Sequence, residues 1–122
     1  MPLVLIVDDS PTEQHVFCKA LERRGFDTVV ANDGEEAILS AQQVKPDVIV
    51  MDVVMPGMNG FQATRRLSKH PETSDIPVII VSSKGQETDR IWGLRQGAAH
   101  YLVKPVDAKQ LLAAVEAALT DG

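Results

Sequence analysis

Five short runs rich in valine and isoleucine, at residues 3–7, 28–31, 47–51, 77–81 and 101–103, alternate along the chain with segments of helical period. Nearly continuous apolar runs of this length suit strands covered on both faces, the condition of a parallel sheet. Each helical segment supplies the cover. After the first run, Ser10 is placed to cap a helix, Pro11 suits its first position, and Glu13 completes a capping box.

The first helix is expected to bury Val16, Phe17, Ala20 and Leu21 and to stop near Gly25. The second repeats the stripe with Ala37, Ile38, Ala41 and Val44 before Pro46 ends it. The third carries Phe61, Thr64 and Leu67, the fourth Ile91, Leu94 and Ala98, and the fifth Leu111, Leu112, Val115 and Leu119. Trp92 lies about 100° round the helix from Ile91, at the edge of the fourth stripe. Strict strand–helix alternation predicts an α/β fold, a doubly wound (βα)5 unit with a parallel sheet and helices on both faces. A flavodoxin-like sheet of order 2-1-3-4-5 competes with a fragment of a larger Rossmann or barrel fold, and a length of 122 residues favours the first. The longest loop-like stretch is 53–59.

Composition narrows the function classes. The single Cys18 excludes an internal disulfide, and with His15, His70 and His100 scattered there is no Cys/His cluster for zinc. A net charge of -5, with no basic group denser than Arg23-Arg24 or Arg65-Arg66, argues against a nucleic-acid partner. No apolar run approaches the ~18 residues of a membrane span, and Met1-Pro2 leads into the first run without a basic flank. The expectation is a cytoplasmic protein with no membrane contact.

In open α/β sheets ligands bind at the carboxyl edge of the strands. Asp8 and Asp9 end the first run, Asp52 the third, Ser82 and Ser83 the fourth, and Lys104 the fifth. Singly, each has an ordinary reading: a cap or turn residue for an aspartate, a loop residue for the serine, a surface group for the lysine. Together, carboxylates converging on one edge repel one another unless a cation sits among them, and Mg²⁺ with oxygen ligands answers that need. Lys104 suits a point charge toward a phosphate, Ser82 a hydrogen bond to one of its oxygens, and Asp52 a nucleophile that carries it as an acyl phosphate.

At these residues the chain resembles the receiver domains of two-component response regulators, the CheY-like domains, over essentially its whole length. The matching motifs are VDDS at 7–10, DVVMPGMNG at 52–60, VIIVSS at 78–83 and YLVKPVD at 101–107. The resemblance implies that Asp52 accepts a phosphoryl group from a histidine kinase. It implies that Asp8, Asp9, Asp52 and the backbone carbonyl of Val54 hold Mg²⁺ or Mn²⁺, and that Ser82 and Lys104 bind the phosphoryl group. Tyr101 matches the switch aromatic that turns inward when Ser82 moves, and Lys104-Pro105 is expected to be cis. The segments NGFQATRRL and SKGQETDRIWGLRQGAAHYLVKPVD are similar to the stand-alone, PilH-type receivers of type IV pilus systems associated with twitching motility.

Residues 1–122 are therefore expected to form a single receiver domain with no output domain, a monomer or weak dimer, catalysing only its own phosphorylation and dephosphorylation. The signal would leave through a protein partner at the face of the fourth helix, fifth strand and fifth helix, or the protein would drain phosphate from its kinase. A phosphorylation-independent binding module is the alternative. A small aspartyl-nucleophile phosphohydrolase lacks its acid/base here, because Val53 and Val54 follow Asp52. A flavin binder lacks a glycine-rich phosphate loop and has only one Trp and one Tyr.

Overall fold

The computed structural model describes residues 1–120; Asp121 and Gly122, which the single-domain reading includes, lie outside the described residues. The elements alternate as β1 (Leu3–Val7), α1 (Pro11–Glu22), β2 (Asp27–Ala31), α2 (Gly34–Val44), β3 (Val48–Met51), α3 (Gly60–Lys69), β4 (Val78–Ser82), α4 (Glu87–Arg95), β5 (His100–Val103) and α5 (Ala108–Thr120). All five strands are parallel in the order 2-1-3-4-5. Among the described residues no helix is long and apolar enough to cross a membrane.

The three central strands are apolar but for Ser82 at the end of β4, because successive side chains point to opposite faces and each face carries helices. Leu5 and Val7 of β1, Ile49 and Met51 of β3, and Val78 and Ile80 of β4 join Ala37 and Ala41 of α2 and Ala63 and Leu67 of α3. Val4, Ile6, Val48, Val50, Ile79 and Val81 point the other way, onto Phe17 and Leu21 of α1 and Leu111, Leu112 and Val115 of α5. Each fully buried aliphatic side chain of this kind contributes roughly 1.5–3 kcal/mol relative to exposure.

The helix starts are fixed by side chains. Asp33 accepts from the Glu36 amide at 2.8 Å to cap α2. Asn59 and Gln62 form a reciprocal box at α3, each side chain accepting from the other's amide, at 2.9 and 3.0 Å. Asp107 and Gln110 do the same for α5. At α1 the expected box is only half formed. Ser10 Oγ accepts from the Glu13 amide, but the Ser10 amide donates to Asp8 Oδ1 at 2.9 Å, which leaves the Glu13 carboxylate free to turn elsewhere.

Three expected core residues are corrected. Val16, Val44 and Ile91 are 55%, 40% and 40% exposed. Val16 and Val44 sit at the edge of stripes whose centres are Phe17 and Leu21, and Ala37 and Ala41. In α4 the one buried residue is Gly93, so Ile91 and Trp92 both face outward. Asp47 and Pro77 fall just outside their strands, and a connection at 70–77 equals the one before α3 in length.

Candidate functional site

Parallel pairing of β1 with β3 sets Val7 beside Met51, so the next residues, Asp8 and Asp52, leave the sheet side by side. The Asp52 amide donates to the Val7 carbonyl at 2.9 Å, continuing the ladder one step past the strands. Asp8 and Asp52 are buried and Asp9 is exposed, yet one carboxylate oxygen of each lies within 4.8 Å of the others. The Gln14 side-chain amide holds this corner, donating to the Asp8 carbonyl and to Asn32 Oδ1.

Lys104, the first residue after β5, points its ammonium into the cluster. Nζ stands 2.8 Å from Glu13 Oε2, 3.3 Å from Asp52 Oδ1 and 3.6 Å from Asp8 Oδ2. Burial pushes the Asp8 carboxyl up to about 6; the Ser10 amide draws it down, the Asp52 charge raises it, and Lys104 offsets these only in part. Burial also raises Asp52, against the pull of Lys104. For Lys104 itself burial lowers the pKa, but the hydrogen bond to Glu13 and the charges of Asp52 and Asp8 outweigh it, and the net shift is upward. One ammonium therefore serves three carboxylates.

The donor set suits a hard divalent cation. Among the described residues Asp8 Oδ2 is buried without a hydrogen-bond donor, and the three aspartates offer only oxygen atoms, the ligands Mg²⁺ prefers. Asp8, Asp9 and Asp52 are the residues that could hold it. Val54 lies two residues past Asp52 in the connection to α3 and is 60% exposed.

That connection is drawn tight against Asp52. The Gly60 amide donates to the Val53 carbonyl at 2.9 Å, and a Cβ on Gly60 would lie 2.0 Å from the Asp52 carbonyl oxygen. Only glycine permits this approach.

Ser82, the last residue of β4, is fully buried, and its Oγ accepts from the Lys84 amide at 3.1 Å. Tyr101 in β5 is half-buried; its hydroxyl donates to the Lys84 carbonyl at 2.7 Å and its ring stacks on Phe61, with centroids 6.5 Å apart. Gly93 makes room for that ring, since a Cβ there would meet Tyr101 Cδ2 at 2.8 Å and Ile80 Cδ1 at 3.1 Å. A glycine inside a helix costs about 1 kcal/mol relative to alanine, and here the space it leaves is filled by Tyr101. Gly93→Ala is accordingly expected to expel the tyrosine. The nuclear Overhauser contacts between the Phe61 and Tyr101 rings should disappear while the amide signals of β1 and β3 stay in place. The Lys104–Pro105 peptide bond is cis.

Site residues expected from sequence thus meet in two places: Asp8, Asp9, Asp52 and Lys104 in one cluster, Ser82 and Tyr101 around Lys84. Glu13, expected in the α1 cap, stands in the cluster against Lys104. Gln14 carried no signal, because its contact is to a backbone carbonyl.

A five-stranded parallel sheet with an acidic pocket at its carboxyl edge is the frame of a signal-receiving domain, and the family comparison agrees. Residues 4–116 match the response regulator receiver domain, and the chain belongs to that family. It is 56% identical over 119 residues to protein PilH of Pseudomonas aeruginosa, covering 98% of both chains. It is 40% identical to the DNA-binding dual master transcriptional regulator RpaA of Synechocystis, of which it spans about half, 49%. The structure of the chemotaxis response regulator CheY4 of Vibrio cholerae superposes with a TM-score of 0.91 at 31% identity, covering 98% of this chain and 99% of that one. The chain is a CheY-like receiver and a PilH homologue, a signalling protein of the phosphorylation-based class.

Proposed function

We propose that Asp52 accepts a phosphoryl group from a histidine kinase and that the acyl phosphate alters the surface offered to a partner protein. The observation that carries this reading is the meeting of Asp52 with Asp8, Asp9 and Lys104 at the carboxyl edge of the sheet. In the transfer, an Asp52 carboxylate oxygen attacks the phosphorus of a phosphohistidine. The P–N bond breaks, its electron pair stays on the imidazole nitrogen, and that nitrogen takes a proton.

Asp8, Asp9, Asp52 and the Val54 carbonyl are the ligands we assign to Mg²⁺ or Mn²⁺, which when bound neutralises charge on carboxylate and phosphoryl oxygens alike. Lys104 supplies a point charge to the phosphoryl group and Ser82 a hydrogen bond, with Tyr101 following Ser82 as the switch. Ile91, Trp92 and Val103 are exposed on α4 and β5, and this face with α5 is our candidate for partner contact. The identity to PilH supports a place in pilus-based chemosensory signalling, as an activator by contact or as a phosphate sink. We read residues 1–122 as one cytoplasmic receiver domain, a monomer or weak dimer.

Intact mass after incubation with Mg²⁺ and acetyl phosphate tests the reading. A single phosphoryl adduct is expected on the wild type and none on Asp52→Asn or after chelation of the metal. No adduct on folded wild type would leave a phosphorylation-independent binding module.

A further inference from the structure

Glu13 occupies the first turn of α1, where its amide is already satisfied by Ser10 Oγ, and its carboxylate is not needed for the cap. It turns instead to Lys104 at 2.8 Å, the shortest of the three contacts that ammonium makes. The pair is partly withdrawn from water, with side-chain exposures of 18% for Lys104 and 39% for Glu13. The negative charge of Glu13 is also felt at both buried aspartates, where it raises each carboxyl pKa.

Resting on the receiver reading above, we propose that Glu13 is a positioning residue that holds Lys104 away from an incoming phosphoryl group and so limits the rate and extent of Asp52 phosphorylation. Lys104 carries one charge and meets three carboxylates before any phosphoryl group arrives. Once Asp52 is phosphorylated, the ammonium must serve a dianion. Glu13 then loses its partner and is left as an extra negative charge beside that dianion. Both effects have the same sign: Glu13 stabilises the unphosphorylated form and destabilises the phosphorylated one. A purely structural role, an acid favouring the positive end of the α1 dipole, would not reach the chemistry at Asp52.

The variants separate charge from structure. Glu13→Gln keeps the length and removes the charge. Glu13→Asp keeps the charge in the first turn but is shorter by one carbon–carbon bond, about 1.5 Å, and so loses the close contact with Lys104. The time course of phosphoryl adduct formation is followed by intact mass at fixed pH and Mg²⁺, with two donors, acetyl phosphate as a dianion and phosphoramidate of lower charge.

Glu13→Gln is expected to accelerate phosphorylation by acetyl phosphate roughly three- to tenfold, with a smaller gain for phosphoramidate and an intermediate gain for Glu13→Asp. Unchanged or slower phosphorylation of folded Glu13→Gln would overturn the assignment, as would an equal gain with both donors, which marks a loosened structure. Absence of any adduct on the wild type would instead overturn the receiver reading on which the assignment stands.

Discussion

Asp8→Asn will stabilise the metal-free protein while abolishing its response to Mg²⁺. The Asp8 carboxyl is pushed from an ordinary 3.8 up to about 6, chiefly by burial, and among the described residues its Oδ2 has no hydrogen-bond donor, the Lys104 ammonium standing off at 3.6 Å. Carrying that charge in the folded state costs about 3 kcal/mol at pH 8, since each pKa unit is worth about 1.4 kcal/mol. An amide of the same shape removes the charge and can donate toward the neighbouring carboxylates. For a chain of this length the gain corresponds to a melting midpoint higher by about 10 °C.

The pH dependence follows from the same shift. Below about 3.8 Asp8 is protonated in both folded and unfolded chains, and its burial carries no charge penalty. Stability from this group is therefore fully present there and is lost as pH rises through about 6. Wild type without metal should melt higher at pH 5 than at pH 8, and Asp8→Asn should flatten that difference. Mg²⁺ should reverse the trend, because its binding requires the carboxylate and strengthens as pH rises through the same range. Melting curves at the two pH values, with Mg²⁺ and with chelator, measure all four quantities. An Asp8→Asn midpoint at or below that of wild type at pH 8 would show that the buried Asp8 charge does not destabilise the fold.

Gly60→Ala is expected to act in the opposite direction and at least as strongly. On helix propensity alone, alanine would gain at most about 1 kcal/mol, the helix-interior value, since Gly60 is the first residue of α3. Against this stands a Cβ 2.0 Å from the Asp52 carbonyl oxygen and 2.8 Å from Val53 Cα, both backbone atoms that no rotamer change can move. Relief requires α3 to back away from β3, which breaks the Gly60–Val53 hydrogen bond and opens the packing of Ala63 and Leu67. Overpacking against fixed backbone costs about 3 kcal/mol or more, so the steric term wins. The denaturation midpoint should fall by about 10 °C, and phosphorylation should weaken with it as Asp52 is displaced. A variant as stable as wild type would show that the connection is slacker than the contact implies.

The sheet was readable because its determinants are local. A short β-branched run such as VIVM at Val48–Met51, preceded by Pro46, suits a strand covered on both sides, and Asp52 at its end follows from the register. Exposure within helices was less readable, because the period of a stripe does not say how wide the facing surface is. Ile91 has the spacing of a core residue, but the face α4 turns inward is centred on Gly93, which lies against Tyr101 and Ile80, and Ile91 falls outside it. The boxes at Asn59/Gln62 and Asp107/Gln110 carried a usable signal, a capping residue followed three positions on by glutamine. Glu13 carried the same signal and misled. Its capping partner amide is taken by Asp8, and the lysine that draws it away is 91 residues distant in sequence.

Lys84 holds both Ser82 and Tyr101, the serine through its amide and the tyrosine through its carbonyl. The two side chains are thus moored to opposite ends of one residue. If the Ser82 hydroxyl swings toward a phosphoryl oxygen, the Lys84 amide loses its acceptor, the loop is released, and the mooring of Tyr101 slackens with it. A chemical event at the sheet edge and a rotation at the α4–β5 surface then become one mechanical coordinate, and a single residue's backbone transmits it.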